Sequence, residues 1–263
     1  MACRRRPSSA WPTGYAQATQ RPAVVQLHSG VGLGNGTSGL CLYHALCKQT
    51  PMLVLAGEAG VSVDAMEAHM AVDLVGLARP VTKYATRAIH PGSLLHLVRR
   101  CLKVAAPPPW GPVFLAIPQD VLDQPNAELV TLTLVPETRV VPEPALIARC
   151  VEPVQGVTNP VILMGDGVAH SQAHREMAQL AEVLGARVYG LMASEMTHPL
   201  YCGLTGHMFG EGSQARVQDA DVAIICGTYV FPEVFPLLEN PSTPTRASSI
   251  STWMPMPSPG TTR

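Results

Sequence analysis

Short aliphatic runs, each bounded by Gly, Pro or Asp and separated by helical patterns, govern what this chain can fold into. Runs at 23–27, 52–56, 113–117, 161–164, 187–191 and 221–226 read as strands. Helical patterns lie between them at 37–49, 93–105, 169–185 and 211–218. In the third, Met177, Leu180, Ala181 and Leu184 share one face. Strands that alternate with helices predict parallel sheets covered on both faces, so the expected fold class is α/β. The residues 124–139 are rich in proline and Thr-Leu alternation and lack a helical period, which reads as an extended linker between two α/β units.

Composition narrows the function classes. The chain has 263 residues and a net charge of -1, which argues against a basic nucleic-acid binder. Aromatics are only 5%, so the cores must be built from Val, Leu, Ala and Met. No apolar run reaches the roughly 18–20 residues of a membrane helix. The best candidate, 221–238, is broken by Gly227, Pro232, Glu233 and Pro236. Arg4, Arg5 and Arg6 are not followed by an apolar signal region. Seven cysteines without C-x-x-C spacing read as reduced thiols, and the expected location is the cytoplasm.

The segment from Leu27 to Gly39 is the most informative for chemistry. It runs His28-Ser29-Gly30-Val31-Gly32-Leu33-Gly34-Asn35-Gly36, after a strand and before a helix. Such a loop lets backbone N–H groups approach a ligand and aims a helix N-terminus at negative charge. His28 at the strand end can shuttle a proton near neutral pH. An ordinary tight strand-to-helix turn explains the same glycines. A dinucleotide reading also stands, because Gly34, Gly36 and Gly39 spell G-x-G-x-x-G and Glu58 follows the next strand.

A family resemblance rests on several segments in order. Thr13 to Thr19, Arg21-Pro22-Ala23-Val24-Val25, His28-Ser29 and Gly32 to Asn35 resemble the pyrimidine-binding domain of thiamine diphosphate enzymes. Benzoylformate decarboxylase and the acetolactate synthases are the most similar groups. Pro51 to Gly57, Arg79-Pro80-Val81-Thr82-Lys83 and Gly111 to Asp120 continue the likeness. Asn159 to Gly167, His198 to Gly203 and Ala220 to Thr228 resemble the family's central domain. The resemblance implies a pyrimidine-type domain over 14–123 and a doubly wound, Rossmann-like central domain over 140–240. It implies thiamine diphosphate and Mg²⁺ as cofactors, a 2-oxo acid as substrate and a homo-oligomer. It casts His28 as the catalytic residue facing substrate, with Ser29, Gly30, Gly32, Gly34 and Asn35 lining the cofactor cleft. The cofactor would act as an electron sink in decarboxylation or carboligation.

The same resemblance marks expected gaps. The family's activating glutamate and its diphosphate domain have no counterpart in these residues, so the expected function is that of an enzyme fragment inactive on its own. A non-catalytic partner subunit that completes a site with another chain is the alternative, and a nicotinamide-dependent oxidoreductase the weaker one. No metal site is expected. Gly165-Asp166-Gly167 reads as a turn with Asp166 as a helix cap. His170 and His174 have the i,i+4 spacing of zinc ligands but read as a solvated helix face. Asp219 and Asp221 read as structural. Glu67 and His69 fall where the family has an active-site loop, with no residue-level match. Residues 1–13 and 241–263 read as aberrant ends, the latter disordered. Degenerate codons for 5–13 and 242–259, read out of frame, can spell family-like peptides, which marks both ends as frameshifted relics.

Overall fold

The computed structural model describes residues 10–37, 42–135, 140–191, 196–205, 210–228 and 250–251. They form two compact units, the second beginning at Val140. In the first, α1 (Ala10–Thr19), β1 (Ala23–His28), α2 (Ser29–Thr37), α3 (Leu42–Cys47) and β2 (Met52–Glu58) are followed by α4 (Leu74–Ala78), β3 (Tyr84–Arg87), α5 (Leu94–Ala105), β4 (Pro112–Pro118) and α6 (Gln119–Leu122). The sheet order is β1-β2-β4-β3, and every pairing is parallel.

Both faces of this sheet are packed, which explains the unbroken apolar sequence of its central strand. All seven residues of β4 are buried. On one face Val25, Val54 and Phe114 meet Leu33 of α2, Leu42 of α3 and Leu74 of α4. On the other, Leu53, Val113 and Leu115 meet Cys101 and Ala105 of α5. Burial raises the Cys101 thiol to about 11, so this cysteine is a core residue and no nucleophile. Lys83 donates from Nζ to the carbonyls of Val104 and Pro107 and so ties off the end of α5.

The second unit contains α7 (Pro144–Val151), β5 (Pro160–Met164), α8 (Asp166–His170), α9 (His174–Leu184), β6 (Arg187–Gly190), β7 (Tyr201–Leu204), α10 (Gly210–Val217), β8 (Val222–Cys226) and β9 (Ile250–Ser251). Its parallel sheet has the order β7-β6-β5-β8-β9. Ile162, Met164, Val188 and Ile224 form its core with Met177 and Ala181 of α9. Gly185 ends α9 with φ of 61°, the left-handed stop that glycine adopts without strain.

All six expected strands are present, and the α/β fold class holds. Several expectations need correction. A helix covers Ala10–Thr19, where no apolar period is visible, because it is anchored by one buried apolar residue, Ala16, and by the Gln17 amide, which donates to the Thr50 hydroxyl at 3.3 Å. The expected helix at 37–49 starts eight residues early: α2 opens directly at Ser29, and residues 38–41 lie outside the described set. The expected helix at 169–185 is two helices, broken at Gln172 with φ of 56°. His170 and His174 therefore do not share one helix. Edge strands β3 and β7 and helix α7 carry too little apolar alternation to be read from sequence. Within the tail expected to be disordered, Ile250 and Ser251 pair with Ile224 and Ile225; its other residues lie outside the described set, as do residues 1–9.

Two glycine substitutions test this packing by urea unfolding. A Cβ at Gly167 would sit 2.6 Å from the Gly227 Cα, a backbone atom that cannot turn away. Gly167→Ala is expected to lower stability by about 2 kcal/mol. A Cβ at Gly34, inside α2, would meet nothing within 4 Å, and Gly34→Ala is expected to add roughly 0.5–1 kcal/mol.

Candidate functional site

Parallel pairing brings the C-terminal ends of β1, β2, β4 and β3 to one rim, the side of such sheets where ligands bind. His28, Glu58, Pro118 and Arg87 end those strands. His28 pairs in register with Gly57. Alternation puts His28 on the sheet face opposite Val25 and Leu27, together with exposed Val24 and Gln26. A Cβ at Gly57 would meet nothing within 4 Å. Beside the exposed imidazole there is thus open space over β2.

Ser29 follows with φ of 49°, a left-handed conformation that a residue with a Cβ adopts at a cost. Its side chain is buried. This sharp turn starts α2 without an intervening loop. Of the glycines that follow, Gly36 makes the tight contact, and Gly30 and Gly32 have room for an ordinary one. A Cβ at Gly30 would touch Val72 at 3.6 Å, one at Gly32 the Leu27 carbonyl carbon at 3.4 Å, and one at Gly36 the Leu27 Cδ1 at 3.0 Å. The expectation of a glycine-rich ligand loop is corrected here: Gly34, Asn35 and Gly36 lie within a helix, where most backbone N–H groups are engaged. Asn35 and Val31 are exposed on its outer side, one turn apart. The dinucleotide spacing is not met either. Gly34 and Gly36 are in α2 and not in the turn after β1, and Gly39 lies outside the described residues.

The second rim cluster was not singled out from sequence as a unit. Glu58 is buried, its side chain 4% exposed, and accepts from Arg87 Nε. Arg87 also donates from both terminal nitrogens to Asp64, at 2.6 and 2.8 Å. Glu58 follows Val54 and Ala56 on its strand, so it leaves the sheet on the α2–α4 face, opposite His28. The structure therefore does not bring His28 and Glu58 together. Burial pushes the Glu58 carboxyl above the usual range and outweighs the pull of Arg87. The Arg87 bonds hold Asp64 below its usual value. Glu67 and His69 lie exposed in the same β2–α4 segment.

In the second unit the strand ends are tied differently. Asp221 accepts from the Thr158 and Asn159 backbone N–H groups at 2.6 and 3.1 Å, and Asp219 accepts from Arg187 at 2.9 Å. Both are structural, as expected. Gly165 occupies the cap position of α8, and no side-chain cap bond forms, so the expected Asp166 cap is not present. Backbone packing holds that turn instead: the Gly167 N–H donates to the Gly227 carbonyl at 2.8 Å. Among the described residues, no three His, Cys, Asp or Glu side chains converge as metal ligands. No helix among them is long and apolar enough to cross a membrane.

Comparison with known proteins gives these two units a family. Residues 10–77 match the thiamine pyrophosphate enzyme N-terminal TPP binding domain, and residues 147–247 match the thiamine pyrophosphate enzyme central domain. The chain belongs to the thiamine pyrophosphate enzyme family. Benzoylformate decarboxylase of Pseudomonas aeruginosa is 32% identical over 174 residues, which is 65% of this chain and 33% of that protein. The acetolactate synthase isozyme 3 large subunit of Escherichia coli is 26% identical over 81% of this chain and 38% of its own length. A putative thiamin diphosphate-dependent enzyme from Mycobacterium smegmatis superposes with a TM-score of 0.81 at 27% identity, covering 92% of this chain and 48% of that one. The chain spans about a third of the length of the curated relatives it matches.

The raised Glu58 pKa has a signed consequence. A carboxyl whose folded-state pKa is raised stabilises the fold below its unfolded pKa, and that contribution is lost as pH rises through the folded value. Glu58→Gln keeps the neutral form at every pH. Urea unfolding at about pH 4 and about pH 7 is expected to show the variant gaining on the parent as pH rises.

Proposed function

We propose that this chain is part of a thiamine diphosphate-dependent 2-oxo acid decarboxylase or synthase and has no turnover on its own. The observation that carries this reading is the succession of two family domains, with His28 at the C-terminal rim of the first beside open space over Gly57. Benzoylformate decarboxylase and acetolactate synthase among the relatives support a 2-oxo acid as substrate class. Thiamine diphosphate, when bound, supplies an electron sink for the carbanion left by decarboxylation.

The chain's own residues fit one part of such a site. The His28 imidazole stands exposed at the rim, where it can give or take a proton on a substrate over Gly57. Ser29 and Gly30 form the turn that aims α2 at the rim, Gly32 lets α2 approach β1, and Gly34 and Asn35 offer the outer side of α2 to a group held from elsewhere. No three His, Cys, Asp or Glu side chains converge among the described residues, and a Mg²⁺ ion held by one or two carboxylates draws its other ligands from phosphates and water. In this reading the chain alone does not hold the metal and the diphosphate. The cytoplasm is the proposed location.

Association with further chain or with a second copy is part of the same proposal. β1 is an edge strand whose outer face leaves Val24 62% exposed, and Trp11 on α1 is 80% exposed. In this reading the isolated chain is expected to elute as aggregates or oligomers in size-exclusion chromatography with light scattering. A monodisperse monomer with a cooperative thermal transition would count against it.

The activity claim is tested by carbon dioxide release from benzoylformate and from pyruvate, with thiamine diphosphate and Mg²⁺ present. The purified chain is expected to show none above the no-protein control. Turnover that disappears in His28→Ala would overturn the inactive-fragment reading while supporting the placement of His28.

A further inference from the structure

The segment between β2 and α4 closes on itself. The Ala59 N–H reaches the Met70 carbonyl at 3.5 Å, Val63 donates to Gly60 at 3.1 Å, and Ala71 donates to Ala68 at 2.7 Å. It is a compact surface loop with its ends together. Its central turn, Val61–Met66, buries none of its residues, and Met66 is 75% exposed. Ala59 at its start is buried, but apolar packing does not hold the central turn in place.

Charge holds it from two sides. At its root, the Val61 and Ser62 N–H groups donate to the two carboxylate oxygens of Asp120, each at 3.0 Å. At its crest, Asp64 receives the two-pronged Arg87 contact. Arg87 is itself pinned through Nε to buried Glu58, the residue directly before the loop. An exposed ion pair alone contributes little. Here the guanidinium is already oriented by a buried carboxylate, so fixing its fork on Asp64 costs less side-chain freedom.

We propose that Arg87 is a positioning residue that latches the 59–70 loop onto the C-terminal rim of the first sheet, with Glu58 as its buried anchor and Asp64 as its catch. The proposal goes beyond the thiamine diphosphate reading and does not rest on it. One guanidinium serves two carboxylates, and Asp73 and Asp120 flank them. Without the guanidinium, like charges face one another at the rim, and the loop keeps only its Asp120 root.

Hydrogen–deuterium exchange of the full chain at neutral pH tests the latch. Asp64→Asn changes an exposed side chain and leaves the buried pair intact. It is expected to speed exchange in peptides covering 59–70 about tenfold, with peptides from β4 and α5 unchanged. Arg87→Gln is expected to do the same or more, and Arg87→Lys, which cannot make the fork, to restore protection only in part. Unchanged exchange of 59–70 in Asp64→Asn overturns the proposal. So does faster exchange spread equally over β2, β4 and α5 in the Asp64→Asn variant, since that marks a general structural role.

Discussion

The close seating of α2 on β1 governs what the first unit can present at its rim. Leu27 meets the backbone of that helix where Gly32 and Gly36 leave no side chain, and a methyl at Gly36 would already crowd Leu27 at 3.0 Å. The chain reaches that position by reversing at Ser29, whose left-handed backbone lets the helix begin directly after the strand. Just before this turn, strand alternation sends Leu27 inward to the core and leaves His28 exposed on the opposite side, beside Gly57. The strain at Ser29 is offset by the burial that α2 brings with Leu33 and Gly36.

The two units place their charges at opposite ends of their sheets. In the first, Glu58 and Arg87 end their strands, and their carboxylate–guanidinium contacts reach a loop at the C-terminal rim. In the second, Asn159, Arg187 and Asp221 stand at strand beginnings, where Asp221 satisfies the backbone of Thr158 and Asn159. At the far ends of β5 and β8, backbone packs directly on backbone through Gly165, Gly167 and Gly227. The first rim therefore combines an exposed imidazole, open space and a charge-tethered loop, while the corresponding end of the second sheet is filled by its own backbone. That contrast supports assigning the chemistry of this span to the first unit.

Much of the fold was legible because buried parallel strands leave a strong mark. Pro112–Pro118 is apolar throughout because both its faces are covered, and Met52–Glu58 is nearly so for the same reason. The edge strand Tyr84–Arg87 leaves none: it is half-buried along its length, so its residues need not alternate. The glycines after His28 were legible as a place where backbone comes close to something. The sequence could not say whether that partner is a ligand or the neighbouring strand.

The sequence by itself determined the α/β class, the family and the placing of His28 at a strand end. These depend on local apolar runs and on ordered motifs, which the chain carries in one dimension. Tertiary structure alone decided that Gly36 packs tightly on Leu27 and that His28 and Glu58 leave the sheet on opposite faces. It also decided that Arg87 joins Asp64 to Glu58 across 23 and 29 residues of chain. Such relations depend on strand register and on which helix covers which face, and both are fixed only when the sheet closes and its two sides are buried.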